Sequence, residues 1–194
     1  MKLVLASNNP GKLREMRALL APLGHEVVAQ ADLGIGEAEE PHDTFVENAL
    51  AKARHASRAS GMPAIADDSG LCVEALGGAP GVHSAYYAGR EGDREARDAR
   101  NNVKLLAALG DDRRAHYRCV MVCVRSADDP APISAEGRWD GSIARAPRGA
   151  NGFGYDPLFE VPGRGLTAAE LSDEEKNRLS HRAQAAARLV ALLR

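Results

Sequence analysis

The hydrophobic pattern changes period several times along the chain, and each change marks an element. Leu3-Val4-Leu5-Ala6 is a continuous apolar run, as in a strand covered on both faces, and it is placed in the interior of a sheet. After the polar turn Ser7-Asn8-Asn9-Pro10-Gly11-Lys12, apolar residues return at helical spacing, as Leu13, Met16, Leu19 and Leu20, until Pro22 and Gly24 stop them. Glu26-Val27-Val28-Ala29 predicts a second strand. Thr44-Phe45-Val46-Glu47 has the spacing of a capping box, and the helix it opens is expected to bury Val46, Ala49, Leu50 and Ala53 before Gly61 ends it. Past Pro63, Ile65-Ala66 reads as a short strand that delivers Asp67-Asp68-Ser69 to its end. There Gly70 is expected to permit a sharp turn before Leu71-Cys72-Val73 resumes the apolar run.

Gly77-Gly78-Ala79-Pro80-Gly81 and the following Ser84 to Ala88 fit neither period and read as loop. A helix is expected over 93–109, stopped by Gly110. Strands follow over 117–124 and within 133–139, joined at Asp128-Asp129-Pro130 and expected to pair antiparallel, which makes the sheet mixed. A Gly- and Pro-rich stretch over 145–159 precedes Ser172-Asp173-Glu174-Glu175, whose S-x-x-E spacing starts a helix. Ser180-His181-Arg182 opens a closing helix with the stripe Ala183, Ala186, Val190 and Leu193.

Composition narrows the class. A chain of 194 residues with 44% hydrophobic content suits a single domain over 1–194 with a real core. A formal net charge of -2 gives no broad basic field, which argues against a nucleic-acid partner or an anionic membrane surface. No apolar run approaches the ~18 residues of a membrane span, and the leading one ends at Ser7, too short for a secretory signal. Cys72, Cys119 and Cys123 lie in apolar runs without C-x-x-C spacing, as expected of buried thiols in the cytosol. Any phosphate site must therefore be local. Of 25 basic residues only Lys2, Lys12, Lys52, Lys104 and Lys176 are lysine, and a compact ammonium suits a tight phosphate site where an arginine fork does not.

Four stretches carry candidate chemistry. The loop Ser7-Asn8-Asn9-Pro10-Gly11-Lys12 sets backbone N–H groups and a helix N-terminus beside a mobile ammonium, an arrangement that suits phosphate, though a plain βα connection with Asn as turn former looks the same. It is not a Walker A loop, because Ala6 stands in place of the first glycine and Leu13 in place of the magnesium-binding hydroxyl. Of the adjacent carboxylates at 67 and 68, alternation in an extended chain lets one reach a given ligand, and Asp68 is the choice; an Asx-type turn has the same look. Glu40 lies in a charged loop where a metal-binding carboxylate could meet Asp68, and Asn48 and Lys52 share a helix face that points into a site or into water. Phe153, between two glycines, can stack on a base or anchor its loop.

Taken together, Ser7 to Lys12, Thr44-Phe45-x-Glu47-Asn48-Ala49-x-x-Lys52, Ala66-Asp67-Asp68-Ser69-Gly70-Leu71, Gly77 to Gly81, Phe153-Gly154-Tyr155-Asp156 and Ser180-His181-Arg182 resemble the Ham1-like non-canonical purine NTP pyrophosphatases over almost the whole chain. The resemblance implies an α/β fold with an elongated mixed β-sheet flanked by helices, two lobes with the active site in the cleft between them, magnesium dependence and a homodimer. It implies hydrolysis of ITP, dITP and XTP to the monophosphate and pyrophosphate. By the same resemblance Ser7, Asn8, Asn9, Pro10, Gly11, Lys12, Lys52 and Lys176 hold the triphosphate, Glu40 and Asp68 hold Mg2+, and Asp68 activates the attacking water. Ser69 places the substrate, Phe153 stacks on the base, and Gly154, Tyr155, Asp156, His181 and Arg182 meet its edge, Arg182 serving either base or phosphate. Two other readings share parts of this pattern. A Maf-like nucleotide pyrophosphatase would lack the Phe153 and His181-Arg182 segments, and a non-catalytic nucleotide sensor would bind without turnover.

Overall fold

The computed structural model describes residues 2–193. Six strands form one sheet in the order β2-β1-β3-β4-β5-β6, with β1 at Lys2–Leu5, β2 at Glu26–Ala29, β3 at Ala64–Val73, β4 at Arg114–Val124, β5 at Ile133–Ile143 and β6 at Phe159–Glu160. β1 pairs in parallel with β2, from Lys2 opposite Glu26 to Leu5 opposite Ala29, and with β3 at Val4–Ala64. β6 runs antiparallel to β5, so the sheet is mixed, as the pattern predicts. β1, apolar from Leu3 to Leu5, is an interior strand with neighbours on both sides. Among the described residues five α-helices flank the sheet: α1 Pro10–Leu20, α2 Phe45–Ser60, α3 Arg94–Ala108, α4 Asp173–Leu179 and α5 His181–Leu192. No helix among the described residues is long and apolar enough to cross a membrane.

The chain divides into two compact units. The first comprises Met1–Asp68, Cys119–Gly137 and Gln184–Arg194; the second, Ser69–Arg118 and Arg138–Ala183. The core of the first gathers Leu3, Leu5, Met16, Leu20, Ile65, Met121 and Leu189 among others. That of the second is built on aromatic rings, with Tyr117 4.6 Å from Phe159 and Phe159 5.1 Å from Trp139, packed with Leu71, Leu105, Leu158 and Leu171.

Three expectations are corrected. The carboxylates do not sit at a strand end: β3 runs unbroken from Ala64 through Asp67, Asp68, Ser69 and Gly70 to Val73. β3 lies between β1, which pairs with Ala64 and Ile65, and β4, and this place in the sheet outweighs the turn preference of Asp-Ser-Gly. Gly70 is needed for a different reason, since a Cβ there would lie 2.2 Å from the Gly81 carbonyl oxygen and 2.5 Å from Ser84 Oγ; the close neighbour is another backbone, not a turn. In α2 the buried face is Phe45, Asn48, Ala49, Ala53, Ala56 and Ser57, while Val46 is 45% exposed. Asn48 can be buried because its amide pairs with both backbone groups of His42, accepting from the N–H at 3.0 Å and donating to the carbonyl at 3.0 Å. Both S-x-x-E and T-x-x-E starts are real: Ser172 and Glu175 cap α4 reciprocally, and the Thr44 side chain accepts from the Glu47 N–H.

Candidate functional site

Two polar clusters hold most of the residues singled out in the sequence, one in each unit. In the first, α1 begins directly after β1, with Pro10 in its first turn and Asn9 as its cap. Asn9 Oδ1 accepts from the Gly11 N–H at 2.8 Å and the Lys12 N–H at 3.4 Å, and the Asn9 N–H donates to Ser7 Oγ at 3.2 Å. Three of the loop's backbone donors are thus satisfied by its own side chains, and the Ser7 N–H donates to the Leu5 carbonyl at 2.8 Å. Asn8 is held from both ends of its amide, by Gln30 at 3.2 Å and Glu37 at 3.1 Å. What the loop sends outward is Lys12, whose Nζ donates to both carboxylate oxygens of Asp67 at 2.8 Å.

Alternation along β3 then separates the two acids by partner. Asp67 meets α1 through Lys12, and Asp68 meets α2 through Lys52, 3.6 Å from Asp68 Oδ1. Lys52 Nζ also bonds Glu40, so one ammonium draws two carboxylates together. Burial raises the Asp68 carboxyl to about 6; Lys52 opposes the shift, and the like charge of Glu40 adds to it. Lys52 is itself raised, the charges of Asp68, Asp67 and Glu40 prevailing over its burial. Two ammoniums against three carboxylates leave a negative charge in excess. Among the described residues no group of three or more His, Cys, Asp or Glu is arranged as a metal cluster. A donor set of two oxygens gathered around a cation does match magnesium, which takes one or two carboxylates and completes its shell with water and phosphate oxygens.

The second cluster is built on the loop before β6. Gly152, at φ 76, and Gly154, at φ 64, let the chain reverse around Phe153, whose ring stays 42% exposed. Three cations lie over that ring: Arg94 at 4.3 Å from the centroid, Lys176 at 5.1 Å and Arg182 at 5.9 Å. Asp156 is buried beneath it, accepting from the Phe153 N–H at 2.8 Å, from Lys176 Nζ at 2.5 Å and from the Tyr117 hydroxyl at 3.4 Å. Any side chain at Gly152 would collide with this pair, its Cβ falling 2.2 Å from Asp156 Oδ2. His181 is also buried and stacks on Tyr117 at 4.7 Å with an interplanar angle of 9°. Arg182 Nη2 donates to Ser69 Oγ at 3.4 Å.

The structure therefore groups Lys12, Lys52, Glu40 and Asp68 together, and Phe153, Asp156, Lys176, His181, Arg182 and Ser69 together. Lys176, expected on the triphosphate, sits with the aromatic ring and Asp156. Tyr155 is packed in the core with its hydroxyl on the Ser84 carbonyl at 2.9 Å, which leaves only its backbone for a ligand. Sequence reasoning missed Asn48 as a buried member, Tyr117 as the support of Asp156 and His181, and Arg94, Asp98 and Asn102 on α3. Those three recur at i, i+4 and i+8, a one-face polar stripe that is visible in the sequence.

A family model described as the Ham1 family matches residues 3–192. The chain belongs to the Ham1 family. Among Ham1 relatives, a dITP/XTP pyrophosphatase of Ralstonia nicotianae is 65% identical, covering 100% of this chain and 96% of its own length. One of Burkholderia pseudomallei is 64% identical over 99% of this chain and 93% of its own. The solved Ham1 protein of Coxiella burnetii is 48% identical, with a TM-score of 0.93 over 100% of this chain and 98% of that one. The sheet and helices described above are thus a Ham1 fold, and the Maf-like reading of the sequence falls away.

Proposed function

We propose that this protein hydrolyses non-canonical purine nucleoside triphosphates, ITP, dITP and XTP, to the monophosphate and pyrophosphate, and so removes deaminated purines from the nucleotide pool. The observation that carries the reading is end-to-end identity of 65% with a protein named dITP/XTP pyrophosphatase. The two clusters supply a physical reason for it.

The first cluster serves the phosphates. Lys12 and Lys52 are the ammoniums that a triphosphate, with about four negative charges, requires. Both are held by carboxylates, and the excess negative charge of the cluster would repel the substrate. A divalent cation reverses that sign, and Glu40 and Asp68 are the residues that would hold Mg2+. When bound, it supplies charge neutralisation at the phosphate oxygens. Asp68 orients water and takes its proton. Ser7, Asn8, Asn9, Pro10 and Gly11 shape the loop that presents Lys12.

The second cluster serves the base. Phe153 offers its face, and Arg182 and Lys176 donate toward a 6-keto oxygen while the buried Asp156 keeps Lys176 in place. His181 acts from beneath, through its stack with Tyr117. Ser69 steadies Arg182, and Gly154 and Tyr155 contribute backbone. Adenine carries a 6-amino donor where hypoxanthine and xanthine carry an acceptor, so ATP meets donor with donor and is rejected. The reading further takes 1–194 as one functional domain, active as a cytosolic homodimer.

The test is a panel of ITP, dITP, XTP, GTP and ATP with separate detection of phosphate and pyrophosphate, repeated in EDTA, with light scattering for the oligomer. Pyrophosphate from the deaminated substrates, abolished by EDTA and restored by magnesium, is the expected result. Inorganic phosphate as the first product, or full activity in chelator, overturns it.

A further inference from the structure

Phe153 does not hold its own position. It stands between two glycines at positive φ, on backbone with wide torsional freedom, and its ring is only half-buried. An aromatic platform left free would lose affinity to ordering whenever a base stacked on it. Its own N–H and carbonyl are bonded to Asp156, at 2.8 Å and 3.2 Å, and a further restraint comes from α3. Asp98 Oδ2 accepts from the Gly154 N–H at 2.9 Å, and Asn102 Nδ2 donates to the Gly154 carbonyl at 2.9 Å. Both backbone groups of the residue after Phe153 are thereby tied to one helix face. One turn earlier Arg94 lays its guanidinium 4.3 Å from the ring centroid, with Nε 3.9 Å from the same Asp98 carboxylate. None of the three is required to make the helix. Asp93 caps its first turn, and Asn101 and Leu105 are its buried residues.

We propose that the face of α3 bearing Arg94, Asp98 and Asn102 is a shelf for the stacking ring, with Asp98 and Asn102 as positioning residues and Arg94 covering ring surface that the purine does not use. This rests on the reading of Phe153 as the base platform and makes α3 a determinant of purine affinity. Stacking is equal in the ground and transition states, so the shelf acts on KM and leaves kcat nearly unchanged. It acts only on ligands that carry a base. The carboxylate of Asp98 makes two contacts, to Gly154 and to Arg94, so its removal has the larger effect.

The experiment uses the full chain and the variants Asp98→Ala, Arg94→Ala and Arg94→Lys. Three quantities are measured: KM and kcat on ITP, inhibition by inorganic tripolyphosphate, which has no base, and binding of IMP by calorimetry. Asp98→Ala is expected to raise KM for ITP and Kd for IMP by about 5- to 10-fold, part of the value of a base–aromatic stack, with tripolyphosphate inhibition unchanged. Arg94→Ala is expected to raise both by roughly 3-fold, and Arg94→Lys, which keeps a cation over the ring, to restore them. Equal weakening of tripolyphosphate and ITP, or unchanged ITP and IMP affinities in Asp98→Ala, overturns the proposal. The exposed Arg94 keeps the test open if the Asp98 variant folds poorly. A wild type that releases no pyrophosphate from ITP defeats the functional reading instead. The shelf is then judged on IMP alone, kept by weaker binding in the variants and lost if binding is the same or absent.

Discussion

Replacing Gly152 by alanine tests whether the Asp156–Lys176 pair governs base binding. Two costs add. The first is conformational: at φ 76 an alanine pays about 1–2 kcal/mol relative to glycine. The second is a collision, because the new Cβ would stand 2.2 Å from Asp156 Oδ2 and 2.8 Å from Lys176 Nζ. Relief needs a carboxylate shift of roughly 1 Å. That shift carries Asp156 beyond hydrogen-bond range of the Phe153 N–H, now at 2.8 Å. A buried charge-assisted bond of this kind contributes about 1.5–3 kcal/mol. Together the loss is about 2.5–5 kcal/mol, and at ~3 °C per kcal/mol for a domain of this size the melting midpoint falls by about 8–15 °C. Gly163, at φ 72 and with open space for 4 Å around the point its Cβ would occupy, provides the control. Gly163→Ala carries the conformational cost alone, so its midpoint falls by about 3–6 °C. The assay pairs thermal melts by circular dichroism with ITP kinetics below both midpoints, where Gly152→Ala raises KM by about 10-fold for a lost charged contact and Gly163→Ala does not. Identical melts and identical KM in the two variants would refute the reasoning, because the collision would then have been absorbed without moving Asp156.

Three further outcomes are expected. Asp68→Asn lowers kcat by about 10²-fold, the scale of a lost general base, and Asp67→Asn, whose partner is Lys12, lowers it less; steady-state kinetics in the reverse order would move the catalytic role to Asp67. Arg182→Ala lowers kcat/KM for ITP more than for ATP, and an equal loss on both would assign Arg182 to phosphate instead of base. Burial lowers His116 below the ordinary 6.5, Arg138 adding to the shift and Glu74 and Asp140 opposing it, so the native state binds fewer protons than the unfolded chain and stability falls as pH drops through that region. Melts of His116→Gln should therefore lose less between pH 7 and pH 5 than wild type, and parallel curves would exclude the residue.

Legibility from sequence followed the range of the forces involved. The β1–loop–α1 unit and the start of α4 were readable because period, cap and breaker all lie within a few residues of one another. β3 was misread because its continuity comes from strands distant in sequence, and because a glycine that admits another backbone is written like one that turns. The sequence leaves Asn48 open between site and water because its partner, the His42 backbone, lies outside the helix. The motifs located both clusters but did not partition them. Nothing in Ser172 to Lys176 announces that Lys176 closes on Asp156, twenty residues earlier in the chain.

The scarcity of lysine has a practical consequence. Only five amines are available on side chains, and three of them, at positions 12, 52 and 176, have side chains just 20%, 15% and 17% exposed, each clasped by a carboxylate, while Lys2 is 51% exposed. Amine-directed labelling under mild conditions will therefore mark Lys2 and the exposed Lys104 well before these three. The protein can be coupled to a surface or a dye through these two positions with the three clasped ammoniums left unmodified.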